Sequence, residues 1–118
     1  MAHDTAFSFS AAADWATPAT GLRRQVLSHG DDIMIVRVDF DEGAIGAVHH
    51  HEHRQVTYVA AGRFEVTVGD ERRTLGAGDS FFAAANVPHG VRALDAGTLI
   101  DAFTPSRLDF LPSVSSGS

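Results

Sequence analysis

The heptapeptide HHHEHRQ, residues 49–55, concentrates side chains that bind metal ions. Residues two apart on an extended strand project from the same face, so His49 and His51 can converge on one ion. Gln55 keeps the same parity and offers an amide oxygen as a third ligand. His89, in NVPHGV, opens a later strand that could lie across the sheet. This spacing favours a metal site, with Gln55 and His89 as candidates for further ligands.

The other two histidines of the run have different expected positions. His50 points to the opposite face of the strand and is expected to be exposed. His53 shares the inward parity but falls where the chain must bend, which predicts a place at the rim of the site. The competing interpretation is a solvated, glycine-flanked loop that is merely rich in histidine. The same-face pair, the partner in register and the distant fourth residue favour the metal site.

A second group of candidate residues lies in TLIDAFT, residues 98–104. Alternation places Asp101 between Leu99 and Phe103 on one face of this strand. If that face lines the interior, burial raises the pKa of Asp101 and suits the carboxyl to proton transfer. If the strand is turned round, Asp101 lies in solvent or bonds a neighbouring backbone amide. Alternation alone leaves both orientations open.

These residues must be positioned by strands, because helical periodicity is almost absent from the chain. DIMIVRVDF, residues 32–40, alternates strictly, and RFEVTVGDERRTL, residues 63–75, predicts a hairpin. Short strands with glycine-rich turns predict an all-β antiparallel sandwich or barrel. An immunoglobulin-like sandwich is disfavoured because its cysteine and core-tryptophan signals are missing. The inward residues of the first two segments are Met34, Val36, Val38 and Phe40, then Phe64, Val66 and Val68, and further strands are predicted at 23–28, 45–51, 55–60, 80–84, 89–94 and 97–104.

A single domain is expected from 118 residues that are 44% hydrophobic and 20% charged. Residues 1–21 are interpreted as an N-terminal arm, 22–111 as the barrel and 112–118 as a flexible C-terminal tail. Within the arm, AAADWATPATG, residues 11–21, has the composition of unstructured chain, as does the tail. The N-terminus lacks the features of a secretory signal, so a cytoplasmic location is expected.

Composition removes several classes of function. A net charge of −6 without a basic cluster disfavours nucleic-acid and anionic-membrane partners. No run approaches the roughly 20 apolar residues of a membrane span. The chain has no cysteine and, with nine arginines, no lysine, which excludes thiol nucleophiles and lysine Schiff bases. A small-molecule ligand is therefore expected.

The pattern G(x)5HxH(x)3Q(x)6G over residues 43–62, followed by Pro-His-Gly at 88–90, resembles the two motifs of the cupin superfamily. The resemblance implies a single-domain jelly-roll barrel, an antiparallel double-stranded β-helix, that holds one divalent transition metal. The implied ligands are His49, His51, Gln55 and His89. Such a set suits nickel, zinc, iron, cobalt or manganese.

Three departures from the usual cupin pattern concern this site. Ala84 stands where proline is common, Asn86 stands where glycine is common, and Gln55 replaces the usual glutamate. A neutral ligand set leaves the double charge of the ion uncompensated, which favours an anionic substrate. It also lacks the carboxylate of the iron oxygenases that use two histidines and one carboxylate, which weighs against oxygen chemistry.

The segments GLRRQVL, HRQVTYVAAGRFEVTVG, LGAGDSFFAAANVPHGV and HGVRALDAGTLIDAFTPSRLDFL resemble the KdgF family over residues 20–111. Members are small cupins that linearise unsaturated uronates released by pectin and alginate lyases. The resemblance implies that Asp101 and Phe103 are catalytic, and that Phe103 and Arg107 bind the anionic sugar. Arg24 and Arg92 remain alternatives for the substrate carboxylate. A homodimer is also expected.

The implied reaction converts a 4,5-unsaturated uronate to its 5-keto-4-deoxy form. Two alternatives stay open. One is another small metal-dependent cupin enzyme, such as a dioxygenase, an isomerase or a polyketide cyclase. The other is a non-catalytic sugar-binding cupin, because fold alone does not fix function. A purely structural module would leave the histidine cluster without a role.

Overall fold

The computed structural model describes residues 6–111, which form ten strands and two short 3₁₀ helices. No helix among these residues is long and apolar enough to cross a membrane. The strands are β1 (Ala16–Ala19), β2 (Leu22–His29), β3 (Met34–Phe40), β4 (Ile45–His49), β5 (Arg54–Ala61), β6 (Phe64–Val68), β7 (Glu71–Leu75), β8 (Ser80–Ala83), β9 (His89–Ala93) and β10 (Gly97–Thr104), and the 3₁₀ helices are Ser10–Ala12 and Leu108–Phe110.

The strands form two antiparallel sheets. The larger sheet has the order β1-β2-β3-β10-β5-β8, and the smaller has the order β4-β9-β6-β7. The inner faces of both sheets contribute to one hydrophobic core. The ring of Phe40 on β3 meets the ring of Phe64 on β6 edge to face, with centroids 5.1 Å apart. The predicted all-β jelly-roll architecture is confirmed.

Alternation along the strands decides which side chains enter the core. On β3 every second residue from Met34 to Phe40 is buried. On β6, Phe64 and Val66 are buried and Val68 packs at the margin. Each fully buried aliphatic or phenyl side chain stabilises the fold by about 1.5–3 kcal/mol relative to exposure. The side chains predicted to point inward from β3 and β6 therefore do contribute to the core.

The structure differs from the sequence prediction in the N-terminal segment. Residues 11–21 were expected to be unstructured, but Ala16–Ala19 pairs with β2 as strand β1. All four of its side chains are exposed, so the strand needs no alternation of hydrophobic and polar residues. Its sequence therefore gives no periodic signal that would predict it. In the 3₁₀ helix that precedes β1, Ser10 Oγ donates a hydrogen bond to the buried side chain of Gln25 at 2.8 Å. The predicted tail, 112–118, lies outside the described residues.

Candidate active site

Three histidines come together where β4 and β9 pair. His49 ends β4 and lies opposite His89, the first residue of β9, with ring centroids 4.6 Å apart. The strand stops two residues earlier than predicted, so His51 lies in the following loop rather than on an extended strand. Its ring centroid is nevertheless 4.8 Å from that of His89. One ligand atom from each of the three lies within 4.8 Å of the others.

Hydrogen bonds to the backbone assign the tautomer of each ring. A carbonyl oxygen only accepts, so a ring nitrogen that faces one must carry the proton. In a neutral imidazole the other nitrogen, Nε2, then has a free lone pair. The Nδ1 atoms of His49, His51 and His89 donate to the carbonyls of Ala47, His53 and Val87 at 2.8, 2.8 and 2.9 Å.

The side chain of Gln55 is oriented by its amide nitrogen. Nε2 of Gln55 donates to Thr57 Oγ1 at 2.8 Å and to Asp101 Oδ1 at 3.3 Å. The amide oxygen therefore points to the histidines, 3.2 Å from Nε2 of His51 and 3.1 Å from Nε2 of His89. Gln55, the predicted fourth ligand, lies in the cluster, although the bend at residues 52 and 53 breaks the strand parity used to predict it.

The donor set of this cluster fits a divalent metal. Burial is the largest cause lowering the pKa of His51 and of His89, which favours their neutral forms. In these neutral tautomers, the lone pairs on Nε2 of His51 and of His89 face the lone pairs of the Gln55 amide oxygen. Acceptors that face each other without a donor are satisfied by a cation. The shell of three imidazoles and one amide oxygen could hold a transition metal.

The carboxyl of Asp101 adjoins this cluster. It faces the interior, on the same side of β10 as the buried residues Leu99 and Phe103, which resolves the orientation that alternation left open. Thr57 Oγ1 donates to Asp101 Oδ1 at 2.6 Å. Burial raises the pKa of Asp101 to about 6, while the hydrogen bond from Thr57 and the charge of Arg107 oppose the rise.

One cavity joins two of the clustered histidines, His49 and His89, to the carboxyl of Asp101. Its volume is about 280 Å³, and most of its wall is apolar. Its polar lining comes from both sheets and from the segment after β10, because β4, β5, β9 and β10 each contribute to one end of the barrel. The lining includes His49, Gln55, His89, Asp101, Phe103 and Phe110.

Two of the three arginines singled out in the sequence line this cavity. Arg107 is only 13% exposed, and its guanidinium lies 5.2 Å from the ring centroid of Phe103. Arg24 reaches the cavity from β2. Arg92 is exposed, contacts Glu65 at 3.7 Å and lies outside the lining.

The remaining histidines of the run do not line the cavity. His50 is exposed, as expected. His53 packs its ring against His51 with centroids 5.5 Å apart, and its carbonyl holds the ring of His51. Its Nδ1 atom is buried and has no hydrogen-bond partner within residues 6–111.

Sequence reasoning missed one residue of the site. Thr57 is fully buried and links Gln55 to Asp101 through its hydroxyl. The signal was present, because Thr57 follows Gln55 by two residues on β5 and so faces the same way. A small hydroxyl side chain at an inward position can therefore belong to a site as much as an ionisable one, because a buried hydroxyl needs a hydrogen-bond partner.

Comparison with known proteins places this site in a family. The cupin domain family matches residues 36–102. The pectin degradation protein KdgF of Dickeya dadantii (strain 3937) is 46% identical over 99 residues, which span 82% of this chain and 90% of that protein. The chain is a cupin of the KdgF family. The resemblance that the sequence motifs indicated is confirmed.

Two solved structures share the fold of this KdgF-family cupin closely. KdgF from Halomonas sp. superposes with a TM-score of 0.86 at 41% identity, over 90% of this chain and all of that one. An RmlC-like cupin from Shewanella frigidimarina NCIMB 400 gives a TM-score of 0.87 at 43% identity, over 91% of this chain and 96% of that one. The likeness therefore covers more of the chain than residues 36–102, which match the cupin domain family.

Proposed function

We propose that this KdgF-family cupin is a metal-dependent enzyme that opens 4,5-unsaturated uronates derived from pectin or alginate. The product is the 5-keto-4-deoxyuronate. Its similarity to a pectin degradation protein supports the pathway. The observation that carries the proposal is the half-buried carboxyl of Asp101, which faces a cavity shared with the histidine cluster and connects to it through Thr57 and Gln55. A simple binding site has no need of a group poised for proton transfer.

His49, His51, Gln55 and His89 would hold the metal. Nickel, zinc, iron, cobalt and manganese all accept imidazole and amide ligands. When bound, the ion supplies positive charge that stabilises negative charge developing on a substrate oxygen. Imidazole and carboxamide ligands carry no charge when they bind an ion, so the protein would leave that charge uncompensated. An anionic substrate matches such a site.

The proposed reaction is an isomerisation of the unsaturated uronate. The bond from C1 to the ring oxygen breaks, the C1 hydroxyl loses its proton to give an aldehyde, and the ring oxygen gains a proton to become the hydroxyl of an enol at C5. A proton then adds to C4, the enol hydroxyl loses its proton, and C5 becomes a ketone. Asp101 would take or deliver these protons, since a carboxyl with a pKa of about 6 exists in both forms near neutral pH.

Phe103 and Arg107 would position the sugar. Phe103 is buried and lines the cavity beside Asp101, so its ring would pack on the pyranose face and exclude water from the reacting carbons. Arg107 lies over that ring and places a positive charge at the cavity wall. The two residues would restrict the substrate to one orientation relative to the carboxyl.

Ultraviolet absorbance of the enol ether tests the proposal. The metal-loaded protein is mixed with unsaturated monouronates made by exhaustive lyase digestion of polygalacturonate or alginate. We expect the absorbance to disappear faster than in the spontaneous reaction. Asp101→Asn should retain the metal and lose turnover by about 10²- to 10⁴-fold. A wild-type rate equal to the spontaneous one would exclude this function, and full activity of the variant would remove Asp101 from the mechanism.

The expected homodimer and cytoplasmic location stay predictions. The outer face of the larger sheet exposes Val56, Tyr58 and Phe82, each at least 50% accessible. Val56 pairs with Phe82 across β5 and β8, so apolar side chains lie side by side there. Sedimentation equilibrium measures the assembly directly, and twice the chain mass is the expected result.

A further inference from the structure

Two guanidinium groups share one aromatic ring at the cavity wall. The Cζ atom of Arg24 lies 3.9 Å from the ring centroid of Phe110, and that of Arg107 lies 4.2 Å from it. All three residues line the cavity that contains Asp101. Either arginine could therefore meet the carboxylate of a uronate.

Arg24 and Arg107 differ in the hydrogen bonds that their guanidinium groups already make within the protein. Nε and Nη2 of Arg107 donate to the two carboxylate oxygens of Asp109 at 3.0 and 2.9 Å. This bidentate pair uses one edge of the guanidinium and neutralises its charge locally. Within the described part of the chain, the side chain of Arg24 makes no hydrogen bond and has no carboxylate at ion-pair distance. Asp109 acts on it only through its longer-range charge.

Strand geometry explains why Arg24 reaches the cavity. Arg24 lies opposite Val38 on the neighbouring strand β3, and it shares its face with the buried Leu22. The adjacent Arg23 points to the other face, where it meets Asp39 at 3.3 Å. Two successive arginines thus have opposite environments, and among residues 6–111 the inward one has no carboxylate at ion-pair distance.

We propose that Arg24 is the specificity-determining residue that binds the carboxylate of the sugar. A half-buried guanidinium without a partner gains strongly from a bidentate carboxylate, because little water competes for its donors. Stacking on Phe110 holds its plane before the ligand arrives. Arg107 is already paired with Asp109 and so contributes less to the preference for the acid. This inference rests on the proposed uronate substrate and selects among arginines that the sequence left equivalent.

Calorimetric titration of the nickel-loaded protein with D-galacturonate and with D-galactose tests this assignment. The two sugars differ in the carboxylate at C6, and neither contains the C4=C5 bond required for turnover. The measured quantity is the ratio of their dissociation constants, in which general damage to the cavity cancels. We expect wild-type protein to prefer the acid. In Arg24→Gln the preference should fall by about 10- to 100-fold, the loss typical of a hydrogen bond to a charged group.

Two matched variants control for the removal of a positive charge. Arg107→Gln removes the guanidinium already bound to Asp109, and Arg92→Gln removes one outside the cavity. Arg92→Gln should keep the wild-type ratio to within about 3-fold, and Arg107→Gln should lose clearly less of the preference than Arg24→Gln. Arg24→Lys retains the charge without the planar fork and should give an intermediate ratio, which keeps the test decisive if the glutamine variant fails to fold.

Three results would overturn the assignment. They are a wild-type ratio near one, an unchanged ratio in both Arg24 variants, and an equal loss in Arg107→Gln. The binding ratio does not depend on turnover, so the two proposals fail separately. Absence of ring opening with an intact Arg24 effect would refute the reaction alone, whereas ring opening without that effect would refute the role of Arg24 alone.

Discussion

Thr57 makes the shortest hydrogen bond of the candidate site, 2.6 Å to Asp101. Its hydroxyl donates to the carboxyl and accepts from the amide of Gln55, so both side chains depend on one oxygen atom. The amide is thereby turned with its oxygen to the histidines. Residues that orient metal ligands commonly influence affinity about as strongly as some ligands do.

Thr57→Val keeps the shape of the side chain and removes this link. We expect metal affinity to fall by about 10-fold and the free energy of unfolding of the metal-free protein to fall by about 1–3 kcal/mol, because two buried polar groups lose a partner. Competition with a metal-sensitive dye measures the affinity. Thr57→Ser retains the hydroxyl and should recover most of it. Equal affinities in the valine variant and wild type would show that Gln55 is oriented without Thr57.

At the residue scale, the sequence indicated which residues belong to the candidate site better than it indicated their hydrogen-bond partners. His49, His51, His89 and Gln55 could be named as candidate ligands because the two motifs that hold them resemble those of the cupins. The different partners of Arg24 and Arg107 could not be predicted, since the pairing with Asp109 depends on how the chain turns after β10. Short-range hydrogen bonds of this kind leave no periodic signal.

At the scale of elements, close approach of β4 to β9 brings His49 to His89. Gly90 makes this approach possible, because a Cβ atom there would lie 2.8 Å from the backbone nitrogen of Val48 and 2.9 Å from its Cα. Real Cβ atoms do not come so near to backbone. The strand that carries His49 would have to move if position 90 had a side chain.

Gly90→Ala should therefore separate the two histidines. We expect a loss of about 1–3 kcal/mol in the free energy of unfolding, as for overpacked cores, together with weaker metal binding. Thermal unfolding and dye competition measure the two effects. Gly30→Ala is the matched control, because a Cβ at Gly30 meets no atom within 4 Å and should change neither property. Wild-type metal affinity in Gly90→Ala would show that the spacing of β4 and β9 does not control the site.

Asp39 joins three neighbouring strands on the outer face of the larger sheet. Its carboxylate accepts hydrogen bonds from Arg37, Arg23 and Thr98 at 3.3 Å or less. Burial opposes ionisation of Asp39, but these bonds prevail and hold its pKa below the usual value of 3.8. The ionised form is therefore the one that stabilises the folded state.

A depressed pKa in the folded state gives a definite pH dependence. The contribution of Asp39 is complete above the pKa of the unfolded chain and is lost as the pH falls through the lower pKa of the folded state. At pH 7, Asp39→Asn should reduce the free energy of unfolding by about 1 kcal/mol. The difference from wild type should shrink progressively below about pH 4. Urea titrations across this range measure it, and a difference independent of pH would contradict the ionic origin.

The order of the elements was largely predictable, and the exceptions have physical reasons. β3 alternates because one of its faces is buried, so its parity is visible in the sequence. β10 is partly buried along its whole length, so its orientation was not. β1 has no buried side chain and is specified by backbone pairing alone. The end of β4 at His49 depends on the hydrogen bond between Ala47 and the imidazole as well as on the bend that follows, neither of which hydrophobicity reports.

On the scale of the whole molecule, folding assembles a cationic pocket in an acidic protein. The net charge is −6, yet the described cavity is lined by two arginines and adjoins a neutral shell suited to a divalent cation. Local potential in a cleft with low-dielectric walls can oppose the overall charge. An anionic sugar should therefore be attracted to the guanidinium of Arg24 in the cavity despite the net charge of the protein.

Metal binding should also stabilise the molecule as a whole. His49 and His89 are 40 residues apart in sequence and meet only in the folded state. A metal at 100 times its dissociation constant adds about 2.7 kcal/mol to the free energy of unfolding, which should raise the melting temperature by roughly 10 °C. Calorimetry with nickel and after chelation measures this shift. His50→Ala should keep it and His89→Ala should lose it, whereas an equal shift in both variants would indicate binding elsewhere.

The central claim is that three imidazoles and one carboxamide bind a single ion at the end of the barrel. Anomalous diffraction from nickel-soaked crystals, recorded at the metal edge, tests it most directly. We predict one strong peak about 2.0–2.2 Å from Nε2 of His49, His51 and His89 and from Oε1 of Gln55, with Asp101 facing the same cavity. A peak bound by other residues, or a Gln55 oxygen turned away from the ion, would contradict the account.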